Sequence, residues 1–147
     1  MITEDYVSFE VAKLLKEKGF NKDTYTMSMY DENGEAKDVL LLKVGEEPVL
    51  RPTLQMAMKW LREVHNILLV VDYDYEFTST SYIYKIYRLV ENGRPERVIV
   101  KGTSYDKDNN PTEHIVSVRD YERSAEEYAT YQQAAEAAIK YCLENLI

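Results

Sequence analysis

Three carboxylates recur at alternate positions in one short run, Val71-Asp72-Tyr73-Asp74-Tyr75-Glu76-Phe77. This alternation is that of a β-strand, whose successive side chains point to opposite faces, so Asp72, Asp74 and Glu76 share one face roughly 7 Å apart. Such a row could hold a divalent cation, or set a general acid and a general base on either side of a bond. It is the candidate ligand-binding surface of a small enzyme or small-molecule binder. The plainer reading is that Tyr73, Tyr75 and Phe77 face the core and the acids face water. No companion histidine and no environment that raises a carboxyl pKa accompanies them.

A second acidic pattern, Asp106, Asp108 and Asn110, fills positions 1, 3 and 5 of a calcium loop. Pro111 stands where that loop needs glycine and Ser117 where it needs glutamate, so a hairpin loop rich in turn formers is expected and no metal site. His65 closes a helix and His114 opens a strand, with no spacing that implies a shared ligand. Cys142 falls on an apolar helical stripe and reads as a small core residue rather than a nucleophile. Glycine-rich phosphate loops and the G-x-S-x-G elbow are absent, and five glycines leave little for a phosphate cradle. No cofactor and no catalytic residue is expected.

Tyrosine is the unusual residue, at 13 of 147 against 3 Phe and 1 Trp. Tyr82, Tyr84 and Tyr87 occupy both faces of one strand and cannot all enter one core. Tyrosine offers large contact area at low entropic cost and keeps a polar handle, which suits it to interfaces. These three, with Tyr105, are the candidate interaction residues. The ordinary alternative is that tyrosine favours strands and packs across neighbouring ones.

Composition bounds the remaining classes. Eighteen Lys/Arg against 26 Asp/Glu give a net charge of −8, with the excess acid in residues 1–50 and 102–147. Scattered, outnumbered cations argue against nucleic-acid binding. The acidity leaves open a decoy that imitates nucleic acid towards a basic partner, although a solvated surface explains it as well. No run approaches the ~18 apolar residues of a membrane span. The first residues lack a basic stretch followed by an apolar one, and a lone cysteine suits a reducing compartment, so a cytoplasmic location is expected.

The elements that would position these residues follow from periodicity and punctuation. Helices are expected over 8–19, from Arg51-Pro52-Thr53 to near Asn66 with Pro52 in the first turn or just before the cap, and from Thr130 to near the end, with Ser124 as an alternative start. Strands are expected over 25–30, 38–44, 67–77, 82–90, 97–105 and 114–121, with turns at Asp31–Gly34 and Glu91–Pro95. Short connections between consecutive strands demand antiparallel pairing. The prediction is a single α+β domain over 1–147. It comprises one mainly antiparallel sheet of about five to six strands, with three helices on one face or at the ends.

Two helical segments carry a resemblance: Arg51-Pro52-Thr53-Leu54-Gln55-Met56-Ala57-Met58-Lys59-Trp60-Leu61-Arg62-Glu63-Val64-His65-Asn66, and Thr130-Tyr131-Gln132-Gln133-Ala134-Ala135-Glu136-Ala137-Ala138-Ile139-Lys140-Tyr141-Cys142-Leu143. With the opening helix they resemble small uncharacterised proteins of Bacteroides-type gut bacteria, many of them carried by prophages or other mobile elements. The resemblance covers about half the chain. It implies a bacterial cytoplasmic accessory protein and implies no activity. The expectation is a non-catalytic protein that binds itself or a protein partner through a tyrosine-bearing sheet surface.

Overall fold

The structure is a computed structural model that describes residues 2–20, 28–38, 49–74 and 81–147. Three helices form where capping residues precede apolar stripes. Helix α1 spans Phe9–Glu17, and the Ser8 hydroxyl accepts a hydrogen bond from the Val11 amide. Helix α2 spans Leu54–His65, capped in the same way by Thr53 on the Met56 amide at 3.1 Å. It ends at Asn66, whose φ of 56° suits a short polar side chain that tolerates the left-handed region. Helix α3 spans Tyr131–Asn145 with Thr130 as its cap, the second of the two starts offered by the sequence.

Strands β1 (Ser28–Tyr30), β2 (Ala36–Asp38) and β3 (Val49–Leu50) form one small sheet in the order β2-β1-β3. Strands β4 (Ile67–Asp74), β5 (Ser81–Arg88) and β8 (Glu122–Arg123) form a second, in the order β4-β5-β8. Strands β6 (Val98–Tyr105) and β7 (Pro111–Arg119) pair with each other alone among the described strands. Every pairing is antiparallel. The α+β class therefore holds, while among the described residues the expected single sheet of five to six strands is corrected to two three-stranded sheets and a two-stranded ribbon.

The cause of the split lies at β5. Its one edge pairs with β4, from Ile67 opposite Arg88 to Asp74 opposite Ser81. Its other edge is filled by β8 against Lys85 and Ile86, by Tyr128 against Tyr82, and by Glu96, whose amide donates to the Arg88 carbonyl at 2.7 Å. No edge of β5 is left for β6, and the ribbon departs.

Alternate residues of β4 and β5 build one core wall from Ile67, Leu69, Tyr84 and Ile86. Helices α2 and α3 cover it with Leu61, Ile139, Cys142 and Leu143, all wholly buried. Helix α1 adds Val11 and Leu15. The segment before α1 is tied to the start of α2, since Val7 donates to the Pro52 carbonyl and Leu54 to that of Asp5. Gly34 closes the β1–β2 turn at φ 78°, and a Cβ there would stand 2.8 Å from the Phe9 ring. Both its conformation and its closeness to α1 require glycine.

Candidate interaction surface

The four candidate tyrosines separate. Tyr84 lies in the core at 7% exposure, its ring stacked on Tyr128 at 6.0 Å and tilted against Tyr141 at 6.3 Å. Burial, helped by those two neighbours, pushes its hydroxyl pKa up to about 12. A buried ring cannot meet a partner, so Tyr84 is a structural residue. Tyr82, on the same face, is half-buried and edge-on to Tyr73 at 5.4 Å and Tyr131 at 6.5 Å. Tyr87 points to the opposite face and tilts against Tyr121 at 5.5 Å. Tyr105 stands apart on β6, 67% exposed.

The acidic strand face is already neutralised. The Lys85 ammonium donates to Asp72 Oδ2 at 2.8 Å, and Asp72 Oδ1 accepts from the Tyr73 amide. Both interactions, Lys85 first, hold the Asp72 carboxyl below the usual range. Arg123 on β8 donates to Asp74 Oδ2 at 2.6 Å. These two acids and two cations line a shallow hollow of about 260 Å³ with Ile83 and Tyr121. The carboxylates do share a concavity, but the charges of its described lining residues sum to zero, which weakens the field that a divalent cation needs. Glu76, like Tyr75 and Phe77, lies outside the described residues. Among the described residues, no three His, Cys, Asp or Glu side chains gather as a metal site would require.

The remaining chemistry-bearing residues serve the fold. His65 ends α2 with its ring edge-on to Trp60 at 4.5 Å, and burial lowers its pKa. His114 sits exposed on β7. Cys142 is wholly buried, its thiol pushed up to about 12 by burial and then by the Glu122 charge. A larger groove of about 730 Å³ runs between the N-terminal segment, α1 and α3. Its charged groups tie these elements together, Lys140 to Glu10 at 2.8 Å and the Ser8 amide to Glu136 at 2.9 Å. The Arg51 guanidinium stacks on Tyr6 at 3.9 Å. This is a seam held by side chains, with no acid and base converging on a common point.

The ribbon has the least explained surface. Residues directly opposite in an antiparallel pair share a face. Ile99 opposes Val118, Lys101 opposes Ile115, Thr103 opposes Glu113 and Tyr105 opposes Pro111. Ile99, Val118 and Ile115 therefore cluster on one face, with Tyr105 on that face beyond the Thr103–Glu113 row, and each of the four is more than half exposed. Lys101 and Glu113 cross the stripe as an ion pair at 3.2 Å. The register slips by one between Val100 and Lys101, so Val116 is an extra residue on β7. Its Cγ2 lies over Gly102, 2.6 Å from where a Cβ would sit. Glycine there lets the bulge close.

The tip of the ribbon is the loop that resembled a calcium site. One oxygen of Asp106 accepts from the Asp108 amide at 2.9 Å and the Asn110 amide at 2.8 Å, and Asn109 takes a φ of 62°. The Asn110 amide first, then that of Asp108, hold the Asp106 carboxyl below its ordinary value. The carboxylate braces its own turn.

The sequence contained two signals for this surface, the apolar triplet Val98-Ile99-Val100 and the run Ile115-Val116-Ser117-Val118. Both fall in expected strands, 97–105 and 114–121, but only tertiary structure reveals that no layer among the described elements covers them. No family model matches the chain, and neither a curated protein nor a solved structure is significantly similar to it.

Proposed function

We propose that this chain is a non-catalytic interaction protein that self-associates through the β6–β7 ribbon, and that it does so in the cytoplasm. The observation that carries this reading is the exposure of Ile99, Tyr105, Ile115 and Val118 on one face of a ribbon with no second layer among the described elements. Large exposed apolar side chains gathered on one face of a small domain mark a contact site, and an isolated two-stranded hairpin is marginal in water on its own. Tyr105 is the candidate tyrosine that belongs to this surface.

Charge favours a second copy as the occupant. Residues 97–119 carry Arg97, Lys101, Lys107 and Arg119 against Asp106, Asp108 and Glu113, four minus three, or +1 within a chain of −8. The rest of each chain therefore carries −9 and repels its counterpart, and the near-neutral ribbon is the part of the surface on which two copies meet with the least added repulsion. Sedimentation velocity over a concentration series tests the proposal, comparing the native chain with an Ile99→Asp/Ile115→Asp variant of unchanged circular dichroism. A native dimer that the double substitution returns to monomer supports it. A native chain that stays monomeric at the highest attainable concentration overturns it.

A further inference from the structure

Resting on that reading, we infer how the copies join: through the outer edge of β6, antiparallel about a two-fold axis at Gly102, so that two ribbons become one four-stranded sheet. The two edges of the ribbon are not equivalent. Strand β7 begins at Pro111, which has no amide hydrogen to donate, and carries the Val116 bulge. Both features guard an edge against further pairing. Strand β6 runs from Val98 to Tyr105 with neither. Its one guard is the charge of Lys101, which Glu113 partly neutralises at 3.2 Å.

The register follows from parity and charge. A register that sets odd residues opposite even ones would send the two apolar stripes to opposite faces of the joint sheet. Centring the axis on Lys101 keeps the stripes together but sets that ammonium directly against its own copy. Centring it on Thr103 pushes Ile99 past the end of the partner strand, opposite residue 107. Centring it on Gly102 sets Ile99 against Tyr105 of the second copy, Val100 against Ser104 and Lys101 against Thr103. An aromatic residue then meets a β-branched one twice, a pairing that stabilises sheets. Ile99, Ile115, Val118 and Tyr105 of both copies lie on one continuous face. Gly102 meets Gly102, where a side chain is already precluded by Val116.

The test uses Ile99→Cys and Tyr105→Cys as separate full-length variants, oxidised mildly alone and mixed, and read on non-reducing gels. Opposed residues of an antiparallel pair have Cα atoms roughly 4.5–5.5 Å apart, within disulfide range. Cys142 is wholly buried and takes no part. The inference expects cross-linked dimer from the mixture in large excess over either variant alone. Ile99→Cys cross-linking to itself, or no cross-link in any sample while sedimentation still shows a dimer, would overturn the β6 register and leave self-association standing. Monomer by sedimentation before oxidation would overturn both.

Discussion

The projecting ribbon predicts that two isoleucines of this fold differ sharply in what their truncation costs. Ile115 on β7 is 61% exposed and Ile86 on β5 is 1% exposed. Full burial of such a side chain is worth about 1.5–3 kcal/mol, so the two-fifths of Ile115 that is covered contributes roughly 1 kcal/mol. Ile86→Ala removes a fully buried side chain between β5 and the helices and leaves a cavity, at a cost of about 2–5 kcal/mol. Urea unfolding in dilute solution, where chains are monomeric, gives both values from the shift in midpoint at constant slope. Ile115→Ala is expected to shift the midpoint slightly and Ile86→Ala by several times as much. Equal destabilisation in dilute solution would mean that the stripe is packed within the chain, and the argument for an uncovered ribbon would fail.

Three further outcomes follow from the same geometry. Association driven by the ribbon works against the repulsion of two chains of −8, so added salt should tighten it as measured by sedimentation equilibrium; weakening by salt would point to contacts made by the acidic surface. The Asp106 carboxyl, held low by the tip amides, contributes stability above its unfolded pKa and loses it as pH falls through the lower folded value. Its NMR titration should lie below that of an ordinary aspartate, and a midpoint at the ordinary value would remove the bracing assigned to it. Cys142, with its thiol pushed up to about 12, should resist a thiol reagent at mildly alkaline pH and react on unfolding; rapid labelling of the native chain would contradict its place in the core.

The local parts of this fold were legible because their causes are local. Ser8, Thr53 and Thr130 each precede an apolar helical stripe and each accepts the amide three residues on. The alternation of Ile67, Leu69 and Val71 marked β4, and their partners Arg88, Ile86 and Tyr84 placed β5 beside it. The division into separate sheets was not legible, because it depends on Glu122 and Arg123 taking the edge of β5 from far along the chain. The same contact explains the acidic face, whose Asp74 is answered by Arg123 from that distant strand. Alternation gave the direction of Asp72 and Asp74 but could not supply their cations. Tyr84 read as a surface candidate because a strand pattern does not tell which face a helix will cover. The ribbon stripe was missed for the converse reason: branched apolar residues in a strand look buried, and only the absence of a covering layer among the described elements makes Ile99 and Ile115 notable.

Amide hydrogen exchange followed at low and high protein concentration reads self-association through the ribbon strand by strand. Exchange along β6, from Val98 to Tyr105, is expected to slow as concentration rises, while the amides of α3 keep the same protection throughout. Protection of β6 that does not depend on concentration would contradict self-association through this ribbon.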